Sequence, residues 1–206
     1  MALISLIEIW RMIVMSLGVG FIFSFMIERR RTPEDIVEEY KKRYSQSNVM
    51  IKNILFATMI AAPGIVLHEL AHKFVAMSFG LEATFYASYF FLALAIVLIL
   101  VKFPFVFFVP GYVSISSAGT ALTGASLNYA YALIAFAGPL FNLVVFLFSW
   151  FMEKNARRFK ISKNAAYAFG VSKKINLFLF VFNLLPIPGF DGWSVYSNLW
   201  QGFIHV

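Results

Sequence analysis

No cysteine occurs in the 206 residues, so disulfides and thiolate metal sites are excluded, and any metal has to be held by histidine, carboxylate or water. The same absence leaves the redox compartment unreadable. Charge is scarce as well: 13% of residues are Asp, Glu, Lys or Arg, against about a quarter in soluble domains. Histidine is scarcer still, with 3 in the whole chain. Apolar residues make up 61% and mean hydropathy is +0.79. They fall into several runs near or above the roughly 18 residues that let a helix cross a bilayer. The pattern predicts a single integral membrane domain of the all-α polytopic class, with about four to six membrane helices or re-entrant segments. A net charge of +7 could point to nucleic acid, but the basic residues gather in two connecting segments beside apolar runs. Anionic lipid headgroups are the simpler partner, and no nucleic acid is expected.

Two of the three histidines sit in His68-Glu69-Leu70-Ala71-His72, inside the apolar run from Met50 to Phe79. Histidines four apart share one helical face, so both imidazoles can reach one metal while Glu69 points near its open side. This is the zinc-hydrolase arrangement: zinc lowers the pKa of a bound water to roughly 7, and a neighbouring carboxylate can take its proton. A Glu and two His at membrane depth also cost a few kcal/mol to insert, which weighs against a purely structural reading.

The first span, about Leu3 to Ile27, reads as a membrane anchor rather than a signal peptide, with Glu8 and Arg11 one turn apart and able to pair. Glu28 to Lys52 is charged; Thr32-Pro33 followed by acids reads as the start of a short surface helix in a solvated connector. Pro63-Gly64 precedes the histidines and predicts either a kink that opens space for water or an ordinary bend. The metal helix should stop near Phe79-Gly80. Leu81 to Ser88 alternates weakly, and Tyr89 to Val109 is a full span, a re-entrant segment, or a short helix followed by a strand. Pro110 to Ser116 alternates with period two and reads as a strand or an interfacial loop. An extended peptide could pair with the edge of such a strand. Ala118 to Ser126 is a linker, and Leu127 to Phe151 is a span in which Gly138 and Asn142 share a face, for packing or for chemistry. Glu153 to Lys174 is the second basic connector. Ile175 to Leu185 is the last strong apolar segment, after which two prolines and two glycines predict irregular backbone around Asp191, and Trp193 to Val206 an aromatic tail at the interface.

Catalytic zinc keeps three protein ligands and one open position. Beyond His72 the candidates include Glu82, Glu153, Asp191 and His205. Glu153 is accounted for by a basic neighbour, His205 stands beside the C-terminus, and Glu82 would need a sharp chain reversal. Asp191, the lone acid in an uncharged run, is taken as the third ligand.

At this point the sequence resembles the site-2 protease family of intramembrane zinc metalloproteases. The likeness rests on His68-Glu69-Leu70-Ala71-His72, on the Gly138 to Asn142 spacing, and on Asn183-Leu184-Leu185-Pro186-Ile187-Pro188-Gly189-Phe190-Asp191-Gly192. It implies one Zn2+ per chain held by His68, His72 and Asp191, with Glu69 as general base. It also implies that Asn183 and Asn142 help hold the substrate backbone or the reacting carbonyl, and that the strand after Pro110 is a short membrane-embedded β element near the active site. The division that follows is an anchor helix at 1–27, a charged connector at 28–49, a metalloprotease core at 50–192 and an interfacial tail at 193–206. The apolar insertion Tyr89 to Val109 is longer than in the simplest members and is similar to that of a prokaryotic subgroup, implying a multi-pass protein of a prokaryotic cell membrane. No stretch of these residues is long enough for a PDZ-type domain.

The implied activity is endoproteolysis of a transmembrane protein substrate, in or near its membrane segment. A non-catalytic relative that binds membrane proteins in a chaperone-like way is the alternative; a metal transporter would need more polar residues along the spans. Each basic connector holds seven Lys or Arg. The positive-inside rule puts both on one face, so Tyr89 to Val109 should be re-entrant or interfacial. The resemblance implies the same parity with the opposite orientation.

Overall fold

A computed structural model describes residues 3–25, 46–103, 109–118 and 120–204. Among them are six helices and one two-stranded sheet: α1 (Leu6–Ser24), α2 (Gln46–Ser78), β1 (Glu82–Ala87), α3 (Tyr89–Leu100), β2 (Gly111–Ser116), α4 (Gly124–Lys154), α5 (Lys163–Asn183) and α6 (Asp191–Ile204). Four of these, α1, α2, α4 and α5, are long and apolar enough to cross a membrane. The mostly helical, membrane-type class expected from composition is the one observed, small sheet included. The expected surface helix after Thr32 and the ligand candidate His205 lie outside the described residues.

Helix starts follow their caps. Ser5 opens α1 with a reciprocal box, Glu8 N–H donating to Ser5 Oγ at 3.3 Å and Ser5 N–H donating to Glu8 Oε2 at 2.8 Å. Ser162 caps α5 by accepting from Ala165 N–H at 3.2 Å. Between the helices, close approach relies on small residues: Ala57, Ala61, Ala62 and Ala71 of α2 and Ala130, Ala135, Ala137 and Gly138 of α4 are buried. Helix α4 packs against α2, α5 and α6, while α1 packs against α2, α3 and β1. Met15, Val19 and Ile22 of α1 meet Ala61 and Ile65 of α2, with Phe85, Leu92 and Ala95 completing that core.

Strands β1 and β2 pair antiparallel, Phe85 opposite Val113 and Ala87 opposite Gly111. Ser88 N–H donates to Pro110 O at 3.0 Å, so the chain leaves and re-enters the sheet at one point. Within Tyr89 to Val109 the described residues form the short helix α3, and β2 follows at Gly111; residues 104–108 lie outside the described residues. Helix α3 has 12 residues. Its length of roughly 18 Å is short of the ~30 Å hydrocarbon core.

Three sequence expectations need correction. Glu8 does not pair with Arg11: it forms a buried ion pair with Lys73 of α2 and accepts from Phe85 N–H at 2.8 Å. Arg11 instead donates to Phe85 O at 2.9 Å and lies 4.1 Å over the Tyr86 ring. The second basic connector shrinks to the turn between Lys154 and Lys163, because α5 begins at Lys163 and runs through both Lys173 and Lys174. Lys173 is consumed by an ion pair with Glu153. The aromatic stretch after Gly192 is helical, and Asp191 is the first residue of that helix rather than part of an irregular loop.

Candidate metal centre

Helix α2 presents His68 and His72 one turn apart, their rings 4.6 Å between centroids and nearly perpendicular. Their Nε2 atoms converge to 3.0 Å. Asp191 arrives from the far end of the chain. The turn before it folds back tightly, with Gly189 at φ +94°, and Gly192 lies so close to the Leu184 and Leu185 carbonyls that a Cβ would overlap them. One Asp191 oxygen is 3.1 Å from His68 Nε2 and the other 3.4 Å from His72 Nε2. One ligand atom from each of the three residues lies within 4.8 Å of the others.

The far ring nitrogens are held by α4. His72 Nδ1 is 2.7 Å from Ile134 O, and a carbonyl can only accept, so Nδ1 carries the proton and the Nε2 lone pair faces the cluster. His68 Nδ1 is 2.9 Å from the Asn142 amide, which is fully buried. Asn142 can serve either tautomer by turning its amide. With N–H donated to a bare Nδ1, the His68 proton sits on Nε2 facing Asp191, and Asn142 Oδ1 is left buried without a partner. With the oxygen accepting from Nδ1–H, both histidines present Nε2 lone pairs, as a metal requires. Gly138 completes the cradle: a Cβ there would overlap His72 Nε2 and lie 2.7 Å from His68 Cε1.

Two imidazole nitrogens and one carboxylate, with the His72 tautomer set by Ile134 O and the His68 ring held by Asn142, form a donor set that fits Zn2+. Glu69 is buried beside them and lines the same cavity of about 820 Å³, as does Asn183 at the end of α5. Glu82 is exposed on β1 and stands apart from the cluster. The sequence pattern pointed to the three residues that converge here and to Glu69; it missed the Ile134 carbonyl, which carries no side-chain signature, and the pairing of Asn142 with His68. The Gly138 to Asn142 spacing, one turn along α4, was the available signal for the latter.

The fold and the site together define a helical protein of membrane type built around a His-Glu-His-Asp cluster of the metalloprotease kind. Comparison with known proteins agrees. Over 165 residues, 78% of this chain and 78% of the relative, the sequence is 34% identical to "Putative zinc metalloprotease MJ0611" of Methanocaldococcus jannaschii. Over 73 residues it is 32% identical to "Putative zinc metalloprotease YwhC" of Bacillus subtilis, spanning 32% of this chain and 33% of that one. The chain belongs to the zinc metalloprotease family of these relatives. No protein-family model matches the sequence. No solved structure matches it either.

Proposed function

We propose that the protein is a zinc-dependent intramembrane endopeptidase of the site-2 protease type, a multi-pass protein of a prokaryotic cell membrane that hydrolyses peptide bonds in or near transmembrane segments of other membrane proteins. The observation that carries this reading is the convergence of His68, His72 and Asp191 beside the buried Glu69, within helices of membrane length. His68, His72 and Asp191 would hold the metal, which supplies Lewis acidity for activating water and polarising the scissile carbonyl. Glu69 takes the proton from the attacking water and returns it to the leaving nitrogen. Asn183, facing the same cavity, donates to the substrate backbone or to the carbonyl oxygen as it gains charge. Asn142 acts through His68 as a positioning residue, a role supported by its buried contact with His68 Nδ1.

Peptide bonds inside a helix are shielded, so a substrate has to unwind locally and then be held extended. Strand β2 offers the edge for that. Phe85 gives its N–H and C=O to Glu8 and Arg11 of α1, which places the ladder bonds of β1 at the alternate residues. The backbone of Gly111, Val113 and Ile115 in β2 therefore points away from β1, and all three residues line the cavity. An unwound segment can add there as a strand, across from Glu69. The basic turn with Arg157, Arg158 and Lys160 suits anionic headgroups at the membrane surface. The reading is tested by mass spectrometry of membrane-protein fragments: peptides should arise with the wild type and vanish with Glu69→Gln. Equal fragment sets from both proteins would favour the non-catalytic binding role.

A further inference from the structure

Lys174 has no role in the chemistry above, yet its position is unusual. It is the twelfth residue of α5, a helix of 21 residues and one of the four of membrane length. About 16 Å of helix precede it and about 13 Å follow, which puts it near mid-span. Ionisable groups at that depth face cavities or partners and mark sites that use them. Its neighbour Lys173 has such a partner in Glu153. Lys174 is exposed, has no hydrogen-bond or ion-pair partner among the described residues, and lines the cavity that holds the metal cluster.

The cavity wall formed by α5 is a single helical face: Lys174, Ile175, Phe178, Leu179, Phe182 and Asn183. Lys174 is at one end and Asn183 at the other. The Asn183 end is tied to the approach to Asp191, where the Phe182 and Phe190 rings meet edge to face at 4.8 Å. Phe23 of α1 and Ile65 of α2 also line the cavity, so the cation projects from walls that are largely apolar. Beside such walls an unpaired ammonium favours a carboxylate that can both neutralise its charge and accept its hydrogen bonds.

Resting on the protease reading, we propose that Lys174 is a specificity determinant that binds an acidic side chain of the substrate about four residues from the scissile bond. The spacing follows from ~13 Å of α5 between Lys174 and the metal end, divided by the ~3.3 Å rise of an extended peptide. A charge-assisted hydrogen bond of this kind changes affinity by about ten- to a hundredfold. The occupant is a polypeptide carboxylate rather than a lipid phosphate, because Lys174 faces the cavity shared with Glu69 and the cluster.

The test uses the full-length protein in vesicles of phosphatidylcholine alone, with a transmembrane segment scanned by Glu and Gln at successive positions. Both cleavage by the wild-type metal centre and binding to the Glu69→Gln protein, read by energy transfer, are recorded. One position about four residues from the cut should favour Glu over Gln by tenfold or more. Lys174→Gln should bring that ratio close to one, and Lys174→Glu should invert it in favour of a Lys-bearing segment. A ratio of one at every position, or one that survives Lys174→Gln, overturns the proposal. So does a Lys174 dependence that emerges only when phosphatidylglycerol is added, which would assign the residue to headgroups. Binding that discriminates without any cleavage would sink the protease reading and leave Lys174 standing; cleavage without discrimination would do the reverse.

Discussion

Replacing Gly138 with alanine adds one methyl group directly behind the cluster of His68, His72 and Asp191. Gly138 sits inside α4, where alanine is the better helix former by about 1 kcal/mol. Against that gain, the new Cβ would lie 2.6 Å from His72 Cε1 and 2.7 Å from His68 Cε1, besides overlapping His72 Nε2. Carbon contacts relax to about 3.5 Å or more, so one or both rings must shift by roughly 1 Å. Overpacking of this kind costs about 1–3 kcal/mol, which leaves the net change in fold stability within about 2 kcal/mol. Metal binding is far less forgiving, since ligand distances have to hold to about 0.2 Å. Zinc affinity should therefore fall by at least the ~10–100-fold seen when outer-shell support is lost. The assay is zinc content after dialysis against graded chelator, with thermal unfolding of the metal-free protein run in parallel. Gly18→Ala, whose Cβ would meet only the flexible Leu92 side chain at 3.3 Å, is the control and should retain zinc. Wild-type zinc affinity in Gly138→Ala would refute the assignment of these two rings to the metal.

Asp191→Ala should lose zinc while Glu82→Ala keeps it; metal analysis showing the opposite would dismiss the third ligand. Lys73→Met strands the Glu8 carboxylate in a buried site and should lower stability by about 3 kcal/mol or more, read as a drop in melting temperature in detergent. Adding Glu8→Gln to that variant should recover part of the loss, and no recovery would mean that the ion pair is not the source. Cysteines placed at Lys52 and Ser162 should label from the same face of the membrane, because α3, at 12 residues, is too short to add a crossing between α2 and α4; labelling from opposite faces would rule out the even parity.

The parts of the candidate site that carry a signal in their own local sequence were legible. His68, Glu69 and His72 announce themselves because a helix turns a spacing of four into a shared face, and Asp191 because it is an isolated acid in an apolar run. Partners distant in sequence were hidden. Glu8 has Arg11 one turn away, and nothing local shows that Lys73 will take its carboxylate while Arg11 turns to the Phe85 carbonyl. Lys173 and Lys174 depress hydropathy enough to resemble a connector, yet α5 continues through them because Glu153 neutralises one and the cavity receives the other. The run from Pro186 to Gly189 reads correctly as a break. What it conceals is that Gly192, lacking a Cβ, lets the next helix begin at Asp191 against the Leu184 and Leu185 carbonyls. Strand β1 is bonded on both edges, by β2 on one and at Phe85 by Glu8 and Arg11 of α1 on the other, and the second partner leaves no mark in the local sequence.

The most direct test of the account is cleavage of a transmembrane segment in reconstituted vesicles by the wild type and by Glu69→Gln, with zinc measured in each preparation. Glu69→Gln keeps the side-chain shape and all three candidate ligands, so zinc content should match the wild type while the cleavage rate falls by about 10² to 10⁴. His68→Ala, in contrast, should lose metal and activity together. Unchanged fragment yield from a zinc-loaded Glu69→Gln protein would contradict the central claim that this helix carries the base of a hydrolytic metal site.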